Sequence, residues 1–152
     1  MRRCRETVTS VDVLARFAGA WSVDRAVADA RAGVDGTFRG TATFAPTGDG
    51  GLACVEDGVL AFGGDERPAA RRLLLRAAGD GAVEVLFGDG RPFYGFDLRD
   101  ERWSGVHGCG DDTYTVRGRF VGDDAYEEVW HAVGPRKDYR LTTTYRRLPD
   151  DT

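Results

Sequence analysis

The chain has 152 residues, 41% of them hydrophobic and 30% charged, with 21 basic and 25 acidic side chains spread along its length. That is enough for one domain with a substantial core, burying roughly 70% of the unfolded surface. A net charge of −4 without a polybasic patch argues against nucleic acid, and no apolar run approaches the roughly 18–20 residues of a membrane span. The opening MRRCRETVTS lacks the apolar stretch of a signal peptide. The cysteines, Cys4, Cys54 and Cys109, are odd in number and unrelated in spacing, so no disulfide framework is expected and a reducing cytoplasm is. The expectation is a single domain over residues 1–152, disordered at 1–9, with a tail at 148–152, as a monomer or homodimer.

The first predicted element is a helix over residues 11–18. Ser10 is its N-cap, Val11, Leu14, Ala15 and Ala18 make its apolar stripe, and Gly19 stops it. Everything after it reads as strand and turn. Trp21, Val23, Arg25, Val27 and Asp29 share one face of the first strand. Period-two alternation continues through Phe38, Gly40, Ala42 and Phe44, then Val83, Val85 and Phe87, then Tyr94, Phe96 and Leu98, then Tyr114, Val116 and Phe120. The arginines of GDERPAARR read as solvent-exposed. Nine clusters rich in Gly, Asp and Pro, from RAGVDG to VGPRKD, separate ten strands. Short strands joined by tight turns form a meander, and a meander of this size avoids exposed edges by closing. The predicted fold class is all-β, an antiparallel up-and-down β-barrel of about ten strands with the helix capping one end.

Gly19-Ala20-Trp21 after a short helix resembles the calycin superfamily: lipocalins, fatty-acid-binding proteins and nitrobindin-like barrels. That resemblance implies a basic residue near the last strand packed over the Trp, here Arg146 or Arg147. GAWSVDR, DGRPFYGFDL, HGCGDDTY and VWHAVGPRKDYRLTTTYRR, in this order, resemble the domain family of unknown function numbered 6314. The resemblance covers nearly the whole chain. The family pattern often has His after RPF, where this chain has Tyr94, so the resemblance transfers no catalytic His to that position.

Two patterns carry candidate chemistry. If Trp21 points inward, so does Arg25, which then needs a carboxylate partner from Asp29, Glu56 or Asp97, or a ligand anion. A structural ion pair and a ligand contact are both open. The second pattern is SGVHGCGDDTY, read as a strand-turn-strand hairpin. His107 shares the inward parity of Trp103, and the turn folds Asp112 and Tyr114 back beside it. His107, Asp112 and Tyr114 would form a proton-transfer set with Asp112 orienting the imidazole, against the plainer reading of a histidine that satisfies the turn. Substrate would contact Trp21, Arg25, Glu56, Tyr94, Phe96, Asp97, Trp130, Tyr139 and Tyr145. No metal is expected: His107-x-Cys109 offers two ligands, and nothing in the spacing brings Cys54 and His131 to them.

The functional expectation is a small-molecule enzyme without a tightly bound cofactor, using acid/base-assisted cyclisation, isomerisation or dehydration in the barrel cavity. The alternatives are a non-catalytic carrier or sensor of an apolar molecule, and a haem-binding barrel using His107 or His131.

Overall fold

The computed structural model describes residues 13–149. Ten strands follow one another: β1 (Gly19–Asp29), β2 (Val34–Pro46), β3 (Leu52–Phe62), β4 (Asp65–Ala77), β5 (Ala82–Phe87), β6 (Pro92–Asp97), β7 (Arg102–Cys109), β8 (Asp112–Phe120), β9 (Ala125–Gly134) and β10 (Lys137–Arg147). They form one antiparallel sheet in the order β6-β5-β4-β3-β2-β1-β10-β9-β8-β7, so β10 returns to pair with β1 and the sheet curls into the predicted barrel. Among the described residues, no helix is long and apolar enough to cross a membrane.

Of the predicted helix, residues 13–15 form a single helical turn, and Ser10 and Val11 lie outside the described residues. The turn plugs the end of the barrel where β1 begins. Phe17 is its cork, with the rings of Phe44, Phe96, Trp103, Phe120 and Tyr126 centred 5.2–6.2 Å away. Burying one such ring stabilises by roughly 1.5–3 kcal/mol, and its edge contacts add to that. Trp21 is fully buried beneath the plug and donates from Nε1 to the Phe17 carbonyl at 2.8 Å. Arg147 lies 4.2 Å over the Trp21 ring and donates to the carbonyls of Ala18, at 2.7 Å, and Arg16, at 3.0 Å. The basic residue that the resemblance implied is therefore Arg147.

The barrel closes without a ladder between β6 and β7. Their hairpin is pinned at Arg99 and Arg102, with Asp100 and Glu101 at φ of 52° and 66° between them. This left-handed pair matches strand twist in a two-residue turn but costs a non-glycine residue some energy. Arg16 offsets that cost, gripping the Glu101 carboxylate with two bonds of 2.7 and 2.8 Å. Beyond the turn the strands meet by contact alone: a methyl group on Gly105 would sit 2.7 Å from the Tyr94 ring and 3.0 Å from the Gly95 carbonyl oxygen. One irregularity matters inside. Val85 pairs with Tyr94 but Leu86 with Pro92, so Phe93 is an extra residue on β6. The bulge lets Phe93 and Tyr94 both pack on Trp130, at 5.4 and 5.1 Å between ring centroids.

Candidate functional site

The barrel interior carries charge at mid-height. Arg25 on β1, Glu56 on β3 and Thr143 on β10 are 8%, 1% and 1% exposed. Strand register builds the cluster: Arg25 lies opposite Thr143, and Glu56 lies opposite Arg71 of β4. The Glu56 carboxylate accepts two bonds from Arg25, at 3.0 and 3.1 Å, two from Arg71, at 3.0 and 3.3 Å, and one from the Tyr145 hydroxyl at 2.7 Å. Arg25 also donates to Thr143 Oγ1 at 2.8 Å and to the Tyr145 oxygen at 2.9 Å. Opposite β2 residues leave the space: Ala42, fully buried, faces Trp21 on one side and Glu56 on the other.

Burial by itself would raise the Glu56 carboxyl, but the charges of Arg71 and Arg25, with the bonds from Arg25 and Tyr145, hold it down at about 2. It stays ionised. Burial works against the Arg71 charge, but Glu56 more than restores it and raises the guanidinium above its ordinary range. Two guanidiniums thus share one carboxylate. Arg71 has the less saturated of the two, with 37% of its side-chain surface free.

That free surface faces two cavities which meet at the cluster. Toward the open end is a bowl of about 410 Å³, with Arg25, Glu56 and Arg71 at its floor and Val27, Phe38, Leu60 and Leu141 among its walls. Beneath the floor lies a void of about 40 Å³, shared by Glu56, Arg71, Cys54, Tyr94 and Glu128 of β9. Glu128 points inward between Tyr126 and Trp130. Burial raises its carboxyl, with Glu56 adding to the rise and Arg71 and Arg25 opposing it. The Cys54 thiol, pushed up to about 12 by burial, is no nucleophile there.

The raised Glu128 has a stability consequence. The folded state holds its proton more tightly than the unfolded state, so ionisation erodes stability as pH rises from the ordinary glutamate range through the raised value. Glu128→Gln is therefore expected to melt higher than wild type at neutral pH, with the difference shrinking toward about pH 4. Thermal melts across pH would show this; a variant no more stable at neutral pH would contradict it.

A family model described as "Family of unknown function (DUF6314)" matches residues 17–147. The chain belongs to DUF6314. No curated protein sequence matches it. Among solved structures, the S-type phycobiliprotein lyase CPES from Guillardia theta is similar at a TM-score of 0.67 and 9% identity, covering 96% of this chain and 98% of that one. The Rv2717c protein from M. tuberculosis is similar at a TM-score of 0.51 and 14% identity, covering 92% and 98%. At such identities the likeness concerns the fold.

In this DUF6314 barrel the predicted site residues divide. Arg25, Glu56 and Tyr145 form the floor, Tyr139 lines the bowl, Tyr94, Phe96 and Trp130 line the void, and Trp21 belongs to the plugged end. Of the partners foreseen for Arg25, Glu56 takes the role. Asp29 instead accepts from the backbone of Arg31 and Ala32 in its own turn. Asp97 is exposed on the outside, because Phe96 takes the inward position beside it.

HGCGDDTY forms the β7–β8 hairpin, with His107 opposite Tyr114 and their rings 6.0 Å apart. Asp112 does not orient His107. Lys137, at the start of β10, reaches over to Asp112 at 3.2 Å and donates to the Tyr114 hydroxyl at 2.9 Å. The imidazole packs on Phe87 and Phe93, 5.9 and 5.1 Å away, in the aromatic half of the mouth rather than on the bowl. Of the two histidines, His107 is flanked by those rings, and His131 sits on the outer row with Thr115 and Arg140, bonded to Asp138 at 2.9 Å. Among the described residues no three His, Cys, Asp or Glu side chains gather as a metal site.

The missed residues are Arg71 and Glu128. Arg71 does not share the exposure expected of GDERPAARR. It has the parity of Leu73 and Leu75, and Glu128 has that of Tyr126 and Trp130, which was the available signal.

Proposed function

We propose that the barrel binds a small organic anion, its apolar body in the bowl and its anionic head on Arg71 and Arg25. One observation carries this: a buried guanidinium, Arg25, and a partly exposed one, Arg71, share a single ionised carboxylate at the floor of an open, apolar-walled cavity. Buried charge is costly unless compensated, and a ligand anion supplies the missing compensation without rearranging the floor. The occupant is a small molecule, with no cofactor required.

The acid/base enzyme is the second reading, and Glu128 favours it over the hairpin set. It is the interior carboxyl whose proton affinity is raised, and it shares Arg71 with the bowl. Cyclisation, isomerisation or dehydration would then use Arg71 to orient the substrate and Glu128 to move a proton. The shared fold with a phycobiliprotein lyase supports a barrel on which enzyme activity can be built.

Fluorescence titration with two probes tests the binding reading. Anilinonaphthalene sulfonate carries the anion, and N-phenyl-1-naphthylamine is its neutral counterpart. The sulfonate is expected to bind at least roughly tenfold tighter, the equivalent of one charge-assisted contact. Arg71→Met should remove that preference. Equal binding of the two probes, or a preference untouched by Arg71→Met, would overturn the reading. Mass spectrometry of the molecule that co-purifies would then identify the natural occupant.

A further inference from the structure

We infer that Glu128 balances the charge of Arg71 from across the void, and that an anion seating on Arg71 from the bowl takes over that role and drives one proton from solvent onto Glu128. The inference rests on the bowl being an anion site, as proposed above.

The geometry puts Arg71 between two carboxylates. Glu56 holds it directly from β3, and Glu128 faces it from β9 across the void of about 40 Å³, large enough to admit water. Among the described residues, Glu128 makes no ion pair of its own. With Glu128 ionised, two guanidiniums face two carboxylates and the interior is neutral. An anion entering then would leave one negative charge uncompensated in a low dielectric. With Glu128 protonated the interior carries one positive charge, and the anion cancels it. Anion and proton therefore enter together.

The neighbours leave Glu128 as the group that responds. From β3, Glu56 is locked as a carboxylate and the Cys54 thiol is pushed up by burial. From β6 and β10, the phenols of Tyr94 and Tyr145 lie well above their ordinary value, as does Tyr126 on β9 itself, all through burial. Arg25 and Arg71 stay charged throughout. Of the charged and titratable groups around this void, Glu128 alone has its proton affinity moved toward the neutral range.

Calorimetry of anilinonaphthalene sulfonate binding, in buffers of different ionisation enthalpy, measures the proton directly, because the sulfonate does not itself titrate. Wild type should take up close to one proton per probe at a pH where Glu128 is ionised, with affinity falling by up to about tenfold per pH unit there. Glu128→Gln should bind the probe with no proton uptake and no pH dependence, and more tightly than wild type at high pH. Carbon NMR of the glutamate carboxyls gives the same answer without a substitution: the probe should move the Glu128 titration to higher pH. Sulfonate-selective binding without proton uptake would overturn this inference and leave the anion site standing, as would uptake that persists in Glu128→Gln. Failure of the sulfonate to bind in preference to the neutral probe would overturn both.

Discussion

Glu56→Gln will destabilise the protein by about 3–5 kcal/mol, the cost of removing one partner from a buried ion pair. The substitution keeps volume and shape, so no cavity contributes. What it removes is the single negative charge that Arg25 and Arg71 share. The depressed wild-type carboxyl points the same way. It sits at about 2 against an ordinary 4.5, a difference worth about 3 kcal/mol at 1.36 kcal/mol per unit. The sign follows from the depression: this stability is fully present above the ordinary glutamate value and is lost as pH falls through the range down to about 2. Urea melts at neutral pH should show the loss, and thermal melts a drop of roughly 10 °C for a domain of this size. Acid melts should show that the variant lacks this part of the wild-type loss at low pH. A midpoint within about 1 kcal/mol of wild type would mean that the arginines find other compensation and that the floor is not a charge trap.

Stability alone does not explain such a cluster. A buried pair of this kind is often no better than well-packed apolar residues of the same volume. Here it carries one guanidinium more than its carboxylate neutralises, at the bottom of a cavity open to solvent. Trp21, Phe17 and their aromatic neighbours already hold the plugged end together. The surplus charge lies where a ligand in the bowl would reach it, whereas His107 packs on Phe87 and Phe93.

Local alternation made the fold and half of the floor legible. Turn clusters counted the strands, and the parity of Trp21 carried Arg25 inside with Glu56 among its partners. What stayed hidden involved adjacent like charges and long-range contacts. Arg71-Arg72 and Glu127-Glu128 are each a pair in which one side chain must face in and the other out, and composition favours sending both to solvent. Only the flanking Leu73 and Trp130 decide which is which. The engagement of Asp112 depends on Lys137 arriving from β10, two strands away in the sheet. The bulge at Phe93 was equally invisible, because one extra residue on β6 leaves the run PFYGF looking regular while changing which aromatics fill the mouth.

Gly40→Ala will cost about 3 kcal/mol or more and should sharply reduce the yield of folded protein. Gly40 and Gly58 lie directly opposite each other on β2 and β3, both on the inward face. Those strands are 13 and 11 residues long and must bend to wrap the barrel, and inward glycines let them bend by bringing backbone against backbone. A methyl group on Gly40 would overlap the Asp57 carbonyl oxygen and come within 2.6 Å of the Gly58 Cα. One on Gly58 would overlap the Arg39 carbonyl oxygen and lie 2.8 Å from the Gly40 Cα. Backbone atoms in a paired ladder cannot rotate away as a side chain would, so the strain spreads into the register between β2 and β3. Glu56 sits two residues from Gly58, and Phe38 two residues from Gly40, so a shift there also moves the floor and one wall of the bowl. Gly33→Ala is the matched control, since a methyl there meets nothing within 4 Å and only its φ of +68° resists the change. Its cost should stay near 1 kcal/mol, the usual penalty for a left-handed residue other than glycine. Denaturant midpoints for the two variants decide the matter: equal losses would mean that the close approach of β2 and β3 does not set the curvature of the barrel.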